Sequence, residues 1–338
     1  MGGFNSVDAV AGLLDCQDMT KSRVPSNLPD FDALMGVTER FEAARHDDPA
    51  LHGADLDDLL RLVPGQRAIC RGNVGGRACI WRIFLTGQEA AASREWNELQ
   101  RIWPEMKTGR FRVSEPLYHS AEHGILAVEH VPGTPLLQLL WKAAPQEREK
   151  WLGPAAKWLR RYTESTESWR PSGPAGWLHR AARGAGKQPF AALKSLEMDI
   201  LQQLERLAER MEDIEWRVAI SHGDYHPNNL IAHKDRLTGI DTGGSARTPI
   251  YKDIARFLMH MGRRGLIPSG QRYLGVDRVG LNAFADEFGM STTERQVIMP
   301  FMLGVEALIR VETPALSDSR IRRARRMSSA LLDDLKAL

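Results

Sequence analysis

The run His222-Gly223-Asp224-Tyr225-His226-Pro227-Asn228-Asn229, followed by an apolar hairpin pattern that ends at Asp241, holds the residues best suited to chemistry. Leu230-Ile231-Ala232-His233 reads as a strand, Lys234-Asp235 as a polar turn and Leu237-Thr238-Gly239-Ile240 as a returning strand. A hairpin of this length folds back on itself. It is expected to set Asn229, at the start of the first strand, beside Asp241, at the end of the second, with Asp224 in the loop just before. Two carboxylates and a carboxamide oxygen would then converge at one hairpin base. Hard oxygen donors of this kind suit magnesium, which takes one or two carboxylates and completes its shell with water and phosphate oxygens. Asn229 and Asp241 are the expected metal ligands, which leaves Asp224 to accept a proton from an attacking hydroxyl. The chemistry such a set would perform is phosphoryl transfer.

Other elements must position a nucleotide against these groups. Two strand-like runs, over residues 67–71 and 78–84, flank the turn-forming Gly72-Asn73-Val74-Gly75-Gly76 and read as a hairpin that carries Arg82. Residues 90–102 keep a helical apolar rhythm, which puts Glu95 and Glu98 on a helix directly after it. Longer helical patterns cover residues 146–163 and 190–211, resume from Tyr251 after the site, and return over 293–311 and 317–338. Neither Gly65-Gln66 nor the glycines between the two strands form a GxGxxG; phosphate contact is expected near Gly65, where a glycine between strands could equally serve only to turn the chain.

The string HGDxxxxN with a later aspartate resembles the aminoglycoside phosphotransferase and choline kinase superfamily, small-molecule kinases with a protein-kinase-like fold. Asp253-Ile254-Ala255-Arg256-Phe257-Leu258 resembles the family's D-[LI]-A helix start, and Ile125 to Leu136 resembles the strand, hinge and helix that join its two lobes. The resemblance implies an α+β fold with a small β-rich N-terminal lobe over 57–128, a hinge over 129–133 and a larger helical C-terminal lobe over 134–338 that includes the catalytic hairpin, with residues 1–56 as an N-terminal extension. It implies ATP and Mg2+ as cofactors and a hydroxyl on a small molecule as acceptor. Asp224 would be base or orienter, His222 would orient the loop, and the backbone of Glu129-His130-Val131 would meet adenine. Arg82 departs from the lysine that grips phosphate in protein kinases. Trp81-Arg82-Ile83-Phe84 is similar to the choline kinase strand, where arginine holds this place, and a guanidinium can still bind phosphate. Glu95 is the expected partner of Arg82 and Glu98 the alternative. A nucleotide-binding pseudokinase is the competing reading, supported by Arg82 and the missing GxGxxG. A protein kinase is disfavoured, because Asp241-Thr242-Gly243 replaces D-F-G and no A-P-E sequence follows.

Composition agrees with this class. A chain of 338 residues, 43% apolar, can bury a core for about two domains. Its net charge of +2 gives no reason to expect nucleic acid or a membrane surface as partner. Cys16, Cys70 and Cys79 show no CxxC spacing and are odd in number, which argues for a reducing cytoplasm. Residues 1–20 lack the pattern of a signal peptide, and no stretch has the length of a membrane span. The acceptor stays open among amino alcohols, sugars and aminoglycoside-like molecules. Asp286, Glu287, Glu306 and Glu312 could receive a cationic amine, but solvated helix faces are the default for them and for the basic run from Arg320 to Arg326. Of the tryptophans at 141, 151, 158, 169, 177 and 216, most are expected in the core rather than in an aromatic cage.

Overall fold

The computed structural model describes residues 31–338, so the readings of residues 1–20, of the break from Pro25 to Pro29 and of Cys16 lie outside the described residues. The chain divides into two units: residues up to Thr134 together with Ile231–Ser245, and Pro135–Leu230 together with Ala246–Leu338.

The first unit begins with α1 (Phe31–Asp47) and continues with β1 (Asp55–Val63), β2 (Arg67–Val74), β3 (Arg77–Phe84), α2 (Glu89–Met106), β4 (Phe111–Val113), β5 (Pro116–Ser120) and β6 (Ile125–Glu129). A five-stranded sheet of order β1-β2-β3-β6-β5 is antiparallel throughout. Its β2–β3 turn is the pair Gly75-Gly76, at φ 56° and 73°, the left-handed conformation that a two-residue hairpin needs. Alternate residues of β2 face the core, where Trp81 is fully buried with the Phe41 ring edge-on at 5.1 Å. Val37, Phe41 and Ala44 of α1 share that core. The expected extension over 1–56 is therefore corrected for its described part: residues 31–56 supply a core helix and the start of an edge strand, because the apolar face of α1 is what covers Trp81.

A second sheet holds the hairpin. Its order is β4-β11-β10-β7, where β7 is Thr134–Pro135, β10 is Leu230–His233 and β11 is Arg236–Gly239. β11 runs parallel to β4, pairing Leu237 with Phe111 and Gly239 with Val113. Through this ladder residues 231–245 cluster with the first unit, whereas the sequence reading had placed the whole hairpin in the helical lobe.

The second unit is mainly helical, with α3 (Leu136–Lys142), α4 (Pro145–Glu149), α5 (Leu152–Thr163), α6 (Pro174–Gly186), α7 (Ala191–Glu209), α8 (Tyr251–Gly262), α9 (Arg278–Glu287), α10 (Met299–Ile309) and α11 (Asp318–Lys336). It also has an antiparallel sheet of order β12-β9-β8, built from β8 (Ser168–Pro171), β9 (Glu215–Ser221) and β12 (Ala246–Pro249). α10 is buried from Met299 to Leu308, as befits a helix apolar on every side. Around the site, the buried Tyr225 ring is stacked between Trp158 at 5.5 Å and Phe257 at 5.2 Å. Trp158 and Trp216 are core residues, while Trp169 and Trp177 carry the guanidinium groups of Arg217 and Arg180 on their rings. Glu306 and Glu312 depart from the solvated default: both are buried against arginines, Glu312 with Arg263 at 2.7 Å. Arg322, Arg323, Arg325 and Arg326 do lie on an exposed helix face. Among the described residues no helix is long and apolar enough to cross a membrane.

Candidate active site

In the first unit, three sequence-predicted residues come together. Arg82 of β3 is buried, and its Nη1 donates to Glu95 Oε1 of α2 at 2.5 Å and to Asp241 Oδ1 at 2.8 Å. Glu98 is not the partner; it is held by Arg101 one turn along the same helix, at 2.6 Å. Burial disfavours charge on Arg82, but Glu95 and Asp241 outweigh it and raise the guanidinium pKa further. For Glu95 burial dominates and pushes the carboxyl up against the pull of Arg82. Asp241 follows β11 with φ 63° and ψ 56°, a left-handed backbone that a non-glycine residue adopts only when its surroundings impose it. Arg67, at the start of β2, adds a second guanidinium 3.6 Å from Asp241 Oδ2.

Gly65 sits in the turn between β1 and β2 at φ 66°, and a Cβ there would meet nothing within 4 Å. Glu129 ends β6 and His130 follows it, with their amides already engaged by Glu115 O at 2.9 Å and Ala78 O at 3.1 Å. The Glu129 side chain is ion-paired with Arg112. An adenine at this segment would therefore meet its carbonyls and the amide of Val131 rather than the two preceding N–H groups.

In the second unit, the loop that carries Asp224 is clamped by the first turn of α8. Gly223 N donates to Asp253 Oδ2 at 3.0 Å, and Lys252 Nζ donates to Gly223 O at 2.6 Å. Asn229 Nδ2 donates to Asp224 O at 3.0 Å, which closes the loop from its far end. His222 is fully buried, with the rings of Trp158, Tyr162 and Tyr225 around it at 5.9 to 6.0 Å. It is packed among these rings in the core.

Asp224 is 42% exposed at its side chain and has three basic neighbours. Arg256 Nε donates to Oδ1 at 2.9 Å, Arg310 Nη2 lies 3.9 Å from the same oxygen, and His226 Nε2 lies 3.4 Å from Oδ2. Partial burial alone would raise the carboxyl pKa, but His226 and Arg256 reverse this and hold it well below the usual carboxylate range. Such a carboxylate stays ionised and can fix a hydroxyl by accepting its hydrogen bond.

Arg256, Arg310 and His260 were missed in the sequence. Arg256 stands three residues after Asp253, on the same helix face, and that spacing beside the motif was the available signal. Arg310 and His260 had none, since only the packing of α8 against α10 and the loop brings them in.

The Asn229 nitrogen is engaged by Asp224 O, so its amide oxygen is the end left for a metal, and Asp241 is a carboxylate that is 31% exposed. Among the described residues no group of three His, Cys, Asp or Glu side chains could hold a metal. Asn229 belongs to the second unit and Asp241 to the first.

A model of the phosphotransferase enzyme family matches residues 66–283, well over half of the chain. The chain belongs to that family. This phosphotransferase is a small-molecule kinase of α+β architecture, and its fold is shared with solved structures of low sequence identity. Choline kinase LicA from Streptococcus pneumoniae is 15% identical with a TM-score of 0.52, the match covering 86% of this chain and 98% of that one. The amicoumacin kinase hAmiN, in complex with AMP-PNP, Ca2+ and Ami, is 11% identical with a TM-score of 0.57, over 90% and 96% of the two chains. A thermostable mutant of aminoglycoside phosphotransferase APH(4)-Ia, in ternary complex with ADP and hygromycin B, is 16% identical with a TM-score of 0.52, over 83% and 95%. Comparison with curated protein sequences returns no match.

Proposed function

We propose that this phosphotransferase moves the γ-phosphoryl of ATP, with Mg2+, to a hydroxyl of a small molecule. The observation that carries the reading is Asp224: a half-exposed carboxylate, held ionised by Arg256 and His226, on a loop whose peptide is fixed at both ends. Asp224 orients the acceptor hydroxyl and takes its proton. Because so acidic a carboxyl is a weak base, the proton moves late, when the hydroxyl oxygen has already begun to bond to phosphorus; a loose transition state suits that order. His222 supports the loop from beneath. Arg82, held by Glu95, contacts phosphate, and the Gly65 turn lets backbone approach it. The carbonyls of Glu129 and His130 and the amide of Val131 face adenine. Asn229 and Asp241 would hold Mg2+, which when bound neutralises charge on the phosphates. The complexes of hAmiN with AMP-PNP and Ami and of APH(4)-Ia with ADP and hygromycin B support a nucleotide donor and a small-molecule acceptor. One observation favours the pseudokinase alternative: Asp241 Oδ1 already accepts from Arg82, which competes with a metal for the same carboxylate.

The test is ADP release with ATP and Mg2+ across amino alcohols, sugars, hydroxy acids and aminoglycosides. One acceptor should turn over, and Asp224→Asn should lower its kcat by about 10²- to 10⁴-fold, the usual contribution of a positioned acid or base, with circular dichroism unchanged. ATP binding with no acceptor-dependent ADP release from any of the panel would favour the pseudokinase.

A further inference from the structure

The acceptor end of the second unit is built around positive charge. Glu306 of α10 is buried and uses one oxygen, Oε1, to hold both Arg310 Nε at 3.0 Å and Arg256 Nη1 at 3.5 Å. The two guanidinium groups are thereby fixed side by side on the Oδ1 edge of Asp224, with His226 on the Oδ2 edge. Arg256 is largely covered, whereas Arg310 keeps 41% of its side chain exposed next to the equally exposed Asp224. Beneath them the buried His260 ring is stacked on His226 at 4.5 Å. Burial, then its neighbours Arg264, His226, Arg256 and Arg320, push its pKa well down.

This arrangement decides what an acceptor can carry. Both carboxylates here, Asp224 and Glu306, are already matched by guanidinium groups. An ammonium on the acceptor would therefore face Arg310 with no carboxylate charge in excess of the two guanidinium groups, at the cost of like-charge contact. A carboxylate or phosphate would instead meet a pre-oriented guanidinium whose outer edge is exposed, the geometry that binds planar or tetrahedral anions best. Resting on the reading of Asp224 as the hydroxyl-orienting group, we infer that the acceptor carries an anionic group next to the hydroxyl that is phosphorylated, and that Arg310 binds that group. Arg256 and Glu306 position Arg310 and Asp224; Arg310 sets specificity.

The experiment compares three anionic acceptors, a 2-hydroxy acid, a hydroxyamino acid and a sugar phosphate, with a neutral sugar, an amino alcohol and an aminoglycoside, in the wild-type protein and in Arg310→Glu and Arg310→Lys. An anionic acceptor should be preferred. Arg310→Glu should lower its kcat/KM by roughly 10- to 100-fold, the size of one charge-assisted hydrogen bond to a ligand, and mostly through KM. Arg310→Lys should recover part of that loss. Preference for an amino alcohol or aminoglycoside, or an anionic acceptor whose KM ignores Arg310→Glu, would overturn the inference and leave the kinase reading intact. No turnover of any acceptor while ATP binds would sink the kinase reading and the inference with it.

Discussion

At the scale of single residues, an arginine stands where the strand of a protein kinase carries a lysine, and its surroundings hold it there. The guanidinium of Arg82 is buried, and two carboxylates converge on its Nη1. A buried charge of this kind is costly to orphan but cheap to replace as a pair. Glu95→Ala is therefore expected to destabilise the protein by about 3–5 kcal/mol, since it leaves Arg82 short of its nearest counter-charge. The double variant Glu95→Leu with Arg82→Met should cost less than Glu95→Ala alone. Midpoints of chemical denaturation decide the matter, and equal or greater loss in the double variant would show that the pair is not acting as an ion pair. On the proposed role of Arg82 as the phosphate contact, nucleotide binding should also weaken in the double variant.

At the scale of elements, the hairpin after Asn229 is placed by partners distant in sequence. β11 finds its hydrogen bonds on β4, and the turn after Asp241 packs against α2 so closely that a Cβ on Gly243 would come within 3.1 Å of Glu95 Oε2. The segment after β6 must also approach β10. Gly133 makes this possible at φ 138°, where an added Cβ would lie 2.5 Å from Ala232 O and 2.9 Å from Ile231 Cγ2. The carbonyl belongs to a paired strand and cannot retreat as a side chain would. Gly133→Ala should thus lower stability by about 1–3 kcal/mol through backbone strain alone. A denaturation midpoint equal to that of the parent protein would show the approach to be relaxed.

At the scale of the whole molecule, stability should depend on pH through a carboxyl remote from the site. Glu197 of α7 is buried, and burial, only partly offset by the hydrogen bond from Gln188, pushes its pKa from 4.5 to about 7. Between these values the unfolded chain has released the proton that the folded protein retains, so stability falls as pH rises from 4.5 towards 7 and is flat beyond. The loss has an upper bound of roughly 3 kcal/mol at 1.36 kcal/mol per unit. Glu197→Gln removes it: Tm measured from pH 5 to pH 8 should decline less in the variant than in the parent protein. Parallel curves would mean that Glu197 is not held neutral.

The sequence by itself determined the class of this protein. A run of His222, Asp224 and Asn229, a hairpin ending in Asp241, and a strand carrying Arg82 before a helix carrying Glu95 are local patterns, and local spacing suffices to read them. The long helices were legible for the same reason, including α7, α8 and α11, although the single helix expected over 146–163 breaks into α4 and α5. Tertiary structure alone decided the rest. α6, with three glycines among its residues, the ten-residue α9 and the β12-β9-β8 sheet had no reading in the sequence and are settled by packing against their neighbours. The choice of Glu95 over Glu98, the inclusion of 31–56 in a core, and the return of 231–245 to the first unit each depend on a contact between residues far apart in the chain. The same holds for the surroundings of Asp224. Arg256 comes from α8 and Arg310 from the end of α10, so the charge around Asp224 is a property of how the helices pack; the spacing of Arg256 after Asp253 pointed at one of the two, and none pointed at Arg310.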